Sequence, residues 1–143
     1  PHSVGQAIEI VAEGIFSTTS TPTLTLTIRA GAAGNTTAAI LLGSAAMTTG
    51  SGVSNQYWKL SGTVVLTAMG AAGTNSTVRG IGTLSSPGLA TPTSPVWGGA
   101  ASPGTVATLD TSISNYINVN AAWSAGSASN TIQLLQLRVS GLN

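Results

Sequence analysis

A chain of 143 residues, 42% of them hydrophobic, is long enough for one domain with a real core. Charged residues make up only 5% and the net charge is +1; disordered chains pair low hydrophobicity with high net charge, so composition speaks for a folded protein. Cysteine is absent, which excludes disulfides and thiolate metal sites, and four scattered cations (Arg29, Lys59, Arg79, Arg138) leave no basic footprint for nucleic acid.

Two-residue alternation recurs along the chain, and helical periodicity does not. Over Gln6–Phe16, Ile8, Ile10, Ala12, Gly14 and Phe16 share one face, while Glu9 and Glu13 stand on the other. A Ser/Thr/Pro turn follows. Thr23–Ala30 then sets Leu24, Leu26 and Ile28 inward and Thr25, Thr27 and Arg29 outward, which is what a half-buried strand asks for. After a glycine turn, Thr37–Leu42 reads as a short buried strand. Its core, Ala38-Ala39-Ile40-Leu41-Leu42, falls far short of the roughly 20 apolar residues of a membrane helix. A Gly/Ser/Thr loop is expected over Gly43–Asn55.

Gln56–Ala68 is the longest strand, with Trp58, Leu60, Gly62, Val64 and Leu66 in phase. A loose hairpin leads to Ser76–Leu84, where Gly80 and Gly82 mark close approach or a bend rather than a phosphate loop. Ser85–Gly104 breaks the pattern with four prolines and several glycines, so an irregular segment is expected there. Thr105–Asp110, Tyr116–Ser124 and Thr131–Gly141 resume as strands. In the last, Leu135, Leu137 and Val139 are placed inward and Gln136 and Arg138 outward. About eight strands and little room for helices predict an all-β fold: an antiparallel two-sheet β-sandwich, specifically an eight-stranded jelly roll, forming a single domain over residues 1–143. The opening residues lack the basic start and apolar stretch of a secretory leader, so none is expected.

The titratable inventory is His2, Glu9, Glu13 and Asp110, too sparse for an acid–base pair, a triad or a histidine metal site. Glu9 and Glu13 stand four strand residues apart, roughly 13 Å, too wide for the usual two-carboxylate glycosidase geometry. No catalytic residue, cofactor or metal is expected. The two glutamates are instead assigned to ion pairs across the sheet with Arg138 or Arg79, since first and last strands are commonly neighbours in jelly rolls. Asn35-Thr36-Thr37 and Asn75-Ser76-Thr77 match the glycosylation sequon but are expected by chance in so Thr- and Ser-rich a chain.

Trp58 and Trp123 fall in phase with apolar strand positions and are assigned to the core. Trp97, in Pro95-Val96-Trp97, is a candidate partner contact, because tryptophan is enriched at interface hot spots, or else a plug over one end of the sandwich. Thr- and Ala-rich faces lack the Lys and Glu that keep strand edges apart, so a homo-oligomer is expected, a trimer by preference, with Val65 and Ala122 as its candidate face.

The C-terminal third, with Ala121-Ala122-Trp123-Ser124, Ser127-Ala128-Ser129-Asn130-Thr131-Ile132 and the closing Leu142-Asn143, resembles the tail end of a group of bacteriophage structural proteins. Trp58–Leu66 and the hairpin after it resemble their middle. The resemblance implies a jelly-roll-like virion protein, assembled in the host bacterial cytoplasm: a capsid decoration (cement) protein on the major capsid protein, or a small tail or fibre accessory. It supplies no catalytic residues. A carbohydrate-binding sandwich, with Tyr57, Trp97 and Tyr116 stacking on sugars, is the alternative from another class. Neither nucleic acid nor membrane is an expected partner.

Overall fold

The computed structural model describes residues 3–33, 36–71, 74–99 and 106–143. The expectations that touch His2, Gly34, Asn35 and residues 100–105 therefore lie outside the described residues. The fold is all-β. Among the described residues ten strands follow one another: β1 (Ala7–Ser17), β2 (Thr23–Gly31), β3 (Ala39–Ser44), β4 (Met47–Thr48), β5 (Gln56–Ala68), β6 (Ser76–Ser85), β7 (Thr93–Trp97), β8 (Ala107–Leu109), β9 (Tyr116–Trp123) and β10 (Thr131–Gly141). No α-helix occurs among the described residues.

All pairings are antiparallel, and they join the strands into one curled sheet, a half-barrel. Its main path runs β10-β1-β5-β6-β7-β3-β2, with β9 on the far side of β2. β8 extends the start of β6, and β4 pairs the start of β2. The curl folds the sheet over its own inner face. There Ile10, Ala12 and Phe16 of β1 meet Leu24, Leu26 and Ile28 of β2, Leu42 of β3 and Trp58, Leu60 and Val64 of β5 in one core. The alternation in β1, β2 and β5 sorts inner from outer residues as the sequence predicts.

Glycine sets how tightly the curl closes. Gly62 and Gly82 are direct partners across β5 and β6, and a Cβ on Gly62 would stand 2.6 Å from the Ile81 carbonyl oxygen. The methyl carbon Cδ1 of Leu42 lies only 3.0 Å from that same point, so the bare glycine surface is what lets β3 settle onto the wall. Gly14 plays the same part under Trp58, whose ring carbons would lie 2.8 Å from an added Cβ.

Two expected loops contain strands. β4 lies inside Gly43–Asn55, where Met47 and Thr48 pair with Leu24 and Thr23. β7 lies inside the segment expected to be irregular. Pro95 makes that stretch look broken, since proline lacks the donor a central strand needs. Yet β3 pairs only with Val96 and Trp97, so Pro95 sits beyond the reach of that ladder. Val96, expected at a partner surface, is fully buried in the core; its side chain points inward opposite Gly82.

Trp58 is 1% exposed and fills the centre of the core. Trp58→Ala should cost about 3–5 kcal/mol, the usual loss on emptying an aromatic core site. Gly14→Ala should cost about 1–3 kcal/mol by overpacking the same ring. Trp97→Ala, at a half-buried outer position, should cost clearly less than Trp58→Ala. Denaturant melts of the three variants, compared at constant m-value, check the order.

Candidate interaction surface

The outer faces of β1, β5 and β10 bring together Glu9, Glu13, Tyr57, Lys59 and Arg138. Glu13 lies directly opposite Lys59, and their charged atoms approach to 3.3 Å. Glu9 pairs with Arg138 of β10 at 3.5 Å. The expected first-to-last strand pairing is therefore present, and so is the Glu9–Arg138 ion pair. Glu13 is the correction: the register puts Lys59 beside it, and its ion pair goes there rather than to Arg138. The Tyr57 hydroxyl donates to Glu13, and this bond, helped by Lys59, holds the carboxyl below its usual range against the opposing pull of burial. The same bond pushes the Tyr57 phenol up. Asp110 is lowered by the Ser112 hydroxyl and backbone N–H that donate to it in a tight turn after β8. These are arrangements of ordinary surface pairs. Among the described residues, no group of three or more His, Cys, Asp or Glu side chains is placed to hold a metal ion.

An apolar cavity of about 170 Å³ opens at one end of the curl, between Ile8, Leu41, Val64, Leu66, Val78 and Ile117. It is smaller than the roughly 300–1,000 Å³ of typical ligand pockets. The three aromatics of the sugar-stacking alternative lie on β5, β7 and β9, strands that are not neighbours in the sheet.

Two apolar surfaces are left uncovered. The first is on the outer face, where Trp97 of β7 stands directly opposite Ile81 of β6, and Ile81 is 60% exposed. Of the expected contact Pro95, Val96 and Trp97, the structure thus brings Trp97 to the outside and Pro95 with it, and takes Val96 away. The second surface is β10. Val139, Leu137 and Ile132 are in register with Ile10, Ala12 and Phe16 and share their inner face. Those three β1 residues are at most 1% exposed, whereas Leu134, Leu135, Leu137 and Val139 are 44, 56, 36 and 43% exposed. The inward placement of Leu135, Leu137 and Val139 is therefore corrected at Leu135 alone. Leu137 and Val139 do face inward, but among the described residues no strand lies over them, and Leu135 is the extra residue of a bulge opposite Glu13/Gly14. At 1.5–3 kcal/mol for burying such a side chain completely, each half-exposed one leaves about 1 kcal/mol unrealised.

β10 and β9 are also free edges of the half-barrel: among the described residues β10 is bonded only to β1 and β9 only to β2. They are joined by the short turn 124–130, which is tied to Thr23 through Ser124. The far end of β10 is held just as firmly. The Asn143 side chain accepts from the Ala7 N–H and donates to the Gly5 carbonyl. Val65 and Ala122, the residues expected to share one oligomer face, lie on the outsides of β5 and β9, which are far apart in the sheet order. They do not form one surface. The alternation of β10 is visible in the sequence; what no periodicity can reveal is that, among the described residues, no strand covers Leu134, Leu137 and Val139.

No family model, curated protein or solved structure matches this chain.

The Tyr57–Glu13 bond requires an ionised carboxyl and a protonated phenol. The lowered Glu13 value means its contribution is present above the unfolded carboxyl range, near pH 4, and fades as pH falls through the folded value. The raised Tyr57 value means it is present below about pH 10 and fades as pH rises through the folded phenol value. Tyr57→Phe should therefore move the Glu13 titration upward toward the ordinary range. NMR titration of the Glu13 side chain in both proteins reads this directly, and the two groups are exposed enough that stability should change little.

Proposed function

We propose that this chain is a structural module of a bacteriophage particle, a decoration protein that attaches to the outside of the head shell and reinforces it without catalysing a reaction. The observation that carries the reading is the Trp97–Ile81 pair. An outward-facing tryptophan–isoleucine pair sits on a wall whose backbone is bonded on both sides, and rigid aromatic anchors of this kind dominate interface energetics. The resemblance of the C-terminal third to phage structural proteins supports the same class, as does a surface almost without charge. On this reading the curled sheet is a jelly-roll sandwich open along one side, with its first and last strands adjacent. The shell protein is the partner of the Trp97 surface, and the particle is where the module resides.

Purified protein mixed with undecorated heads should bind in proportion to the number of shell subunits, counted by quantitative mass spectrometry or electron microscopy. Attachment at only a few sites would instead assign the module to the tail or a fibre. Trp97→Ala should weaken attachment about thirtyfold, the ~2 kcal/mol of a hot spot. An unchanged affinity, with the fold intact by circular dichroism, would overturn the assignment of Trp97. Hydrolysis of glycosides or esters, abolished by replacing Glu9, Glu13 or Asp110, would overturn the non-catalytic reading.

A further inference from the structure

We infer that β10 is a self-association strand, whose partner is the β10 edge of a second copy of this chain. The inference rests on the assembly reading above only in taking the chain to work in more than one copy. It concerns a surface different from Trp97.

Three observations specify a second copy. The edge is long and held at both ends: ten residues are in register with β1, and the Asn143 side chain clips the start of β1 to the end of the chain. It therefore presents a preformed row of backbone donors and acceptors that an extended partner can pair without first ordering it.

The second observation is charge. A homotypic contact brings identical groups together, so a charged strand repels its own copy. Arg138 is the one charged residue of β10, and Glu9 of the same chain already faces it at 3.5 Å. A strand lined by Lys or Glu would guard the edge against this pairing, and β10 has no such guard.

The third is register. The bulge at Leu135 switches the alternation midway, so that Ile132 and Leu134 on one side and Leu137 and Val139 on the other all face inward. In an antiparallel pair, residues directly opposite share a face. One two-fold register sets Leu134 against the second copy's Leu137, Ile132 against its Val139, and Gln133 against its Arg138. Apolar then meets apolar on the inner face at every step, a neutral amide meets the guanidinium on the outer face, and the two Arg138 side chains stay apart. Such a contact is isologous and closes on itself as a dimer, in place of the three-fold contact through Val65 and Ala122 expected from composition.

The test uses the whole chain. Sedimentation velocity over a range of protein concentrations should show a dimer. Hydrogen exchange of Ile132–Ser140 should show consecutive amides protected in the dimer, against alternate amides at dilutions where the chain is monomeric. Leu137→Lys should weaken dimerisation at least a hundredfold, and Leu135→Lys should also weaken it. Because Leu137→Lys could harm the fold, Gln133→Glu serves as the companion variant at an outer position: it sets a carboxylate against the second copy's Arg138 and should tighten the dimer several-fold. Val65→Lys, on the outside of β5, should leave dimerisation unchanged. A monomer at high micromolar concentration would overturn the inference, as would an oligomer indifferent to the β10 variants. Protection of β10 amides that arises only on heads, from a chain otherwise monomeric, would overturn it too, because the occupant would then be a shell segment. Failure to bind heads at all, with the dimer intact, would count against the proposed function alone.

Discussion

β1 is hydrogen-bonded along both sides, to β5 and to β10, and the rest of the architecture depends on that double pairing. It fixes the inner face, because Ile10, Ala12 and Phe16 are buried only if the strands on either side continue the same pleat. It also joins the beginning of the chain to its end, which closes the longest loop the sequence contains. Long-range pairing of this kind is slow to form, since its entropic cost comes before its contacts do. Once formed, it turns a charge-poor chain without disulfides into a continuous sheet.

Curling that sheet demands small residues where its walls approach. Gly14, Gly62, Gly80 and Gly82 are spread over β1, β5 and β6, and each lies where a Cβ would meet backbone or a large core side chain. Glycine weakens an isolated strand by adding backbone entropy to the unfolded state. Here that cost is offset by contact: Trp58 settles over Gly14, and Leu42 over Gly62. The glycines and the large core residues are therefore one feature of the sequence, and neither would be useful without the other.

Much of this architecture is legible in the amino-acid sequence. Alternation in β1, β2 and β5 assigns the inner residues correctly because period-two patterning records burial on one face directly. The glycines of β6 mark a close approach, and the Glu9 and Arg138 charges point to the pairing of first and last strands. What the sequence hides depends on neighbours in space. Pro95 conceals β7, because its missing donor suggests a break, yet the β3 ladder that would need that donor does not extend to this residue. Glu13 takes Lys59 because cross-strand register, invisible in one dimension, places them opposite. The same limit governs the interaction surface. Trp97 stands out by its residue type, but Ile81, its cross-strand neighbour, lies in a run where alternation alone lends it no special meaning. The exposure of Leu134, Leu137 and Val139 is illegible for a different reason: a strand's inner face is covered only where another wall reaches.

The exposed inner face of β10 follows from how the sheet ends. A curled sheet must either close on itself or leave two edges, and barrels escape edge-to-edge association by closing. Here the chain stops short of closure, with β9 and β10 joined by a turn yet bonded to opposite ends of the sheet. Charged residues on those edges would have kept the molecule solitary at little cost in stability, because a surface charge costs the fold almost nothing. Their scarcity, in a chain that keeps β10 long, anchored and apolar, leaves an edge suited to pairing rather than protected from it. The Trp97–Ile81 surface lies on the closed side of the curl, away from that edge. One molecule can therefore use both surfaces at once, as the proposed role in a larger assembly would require.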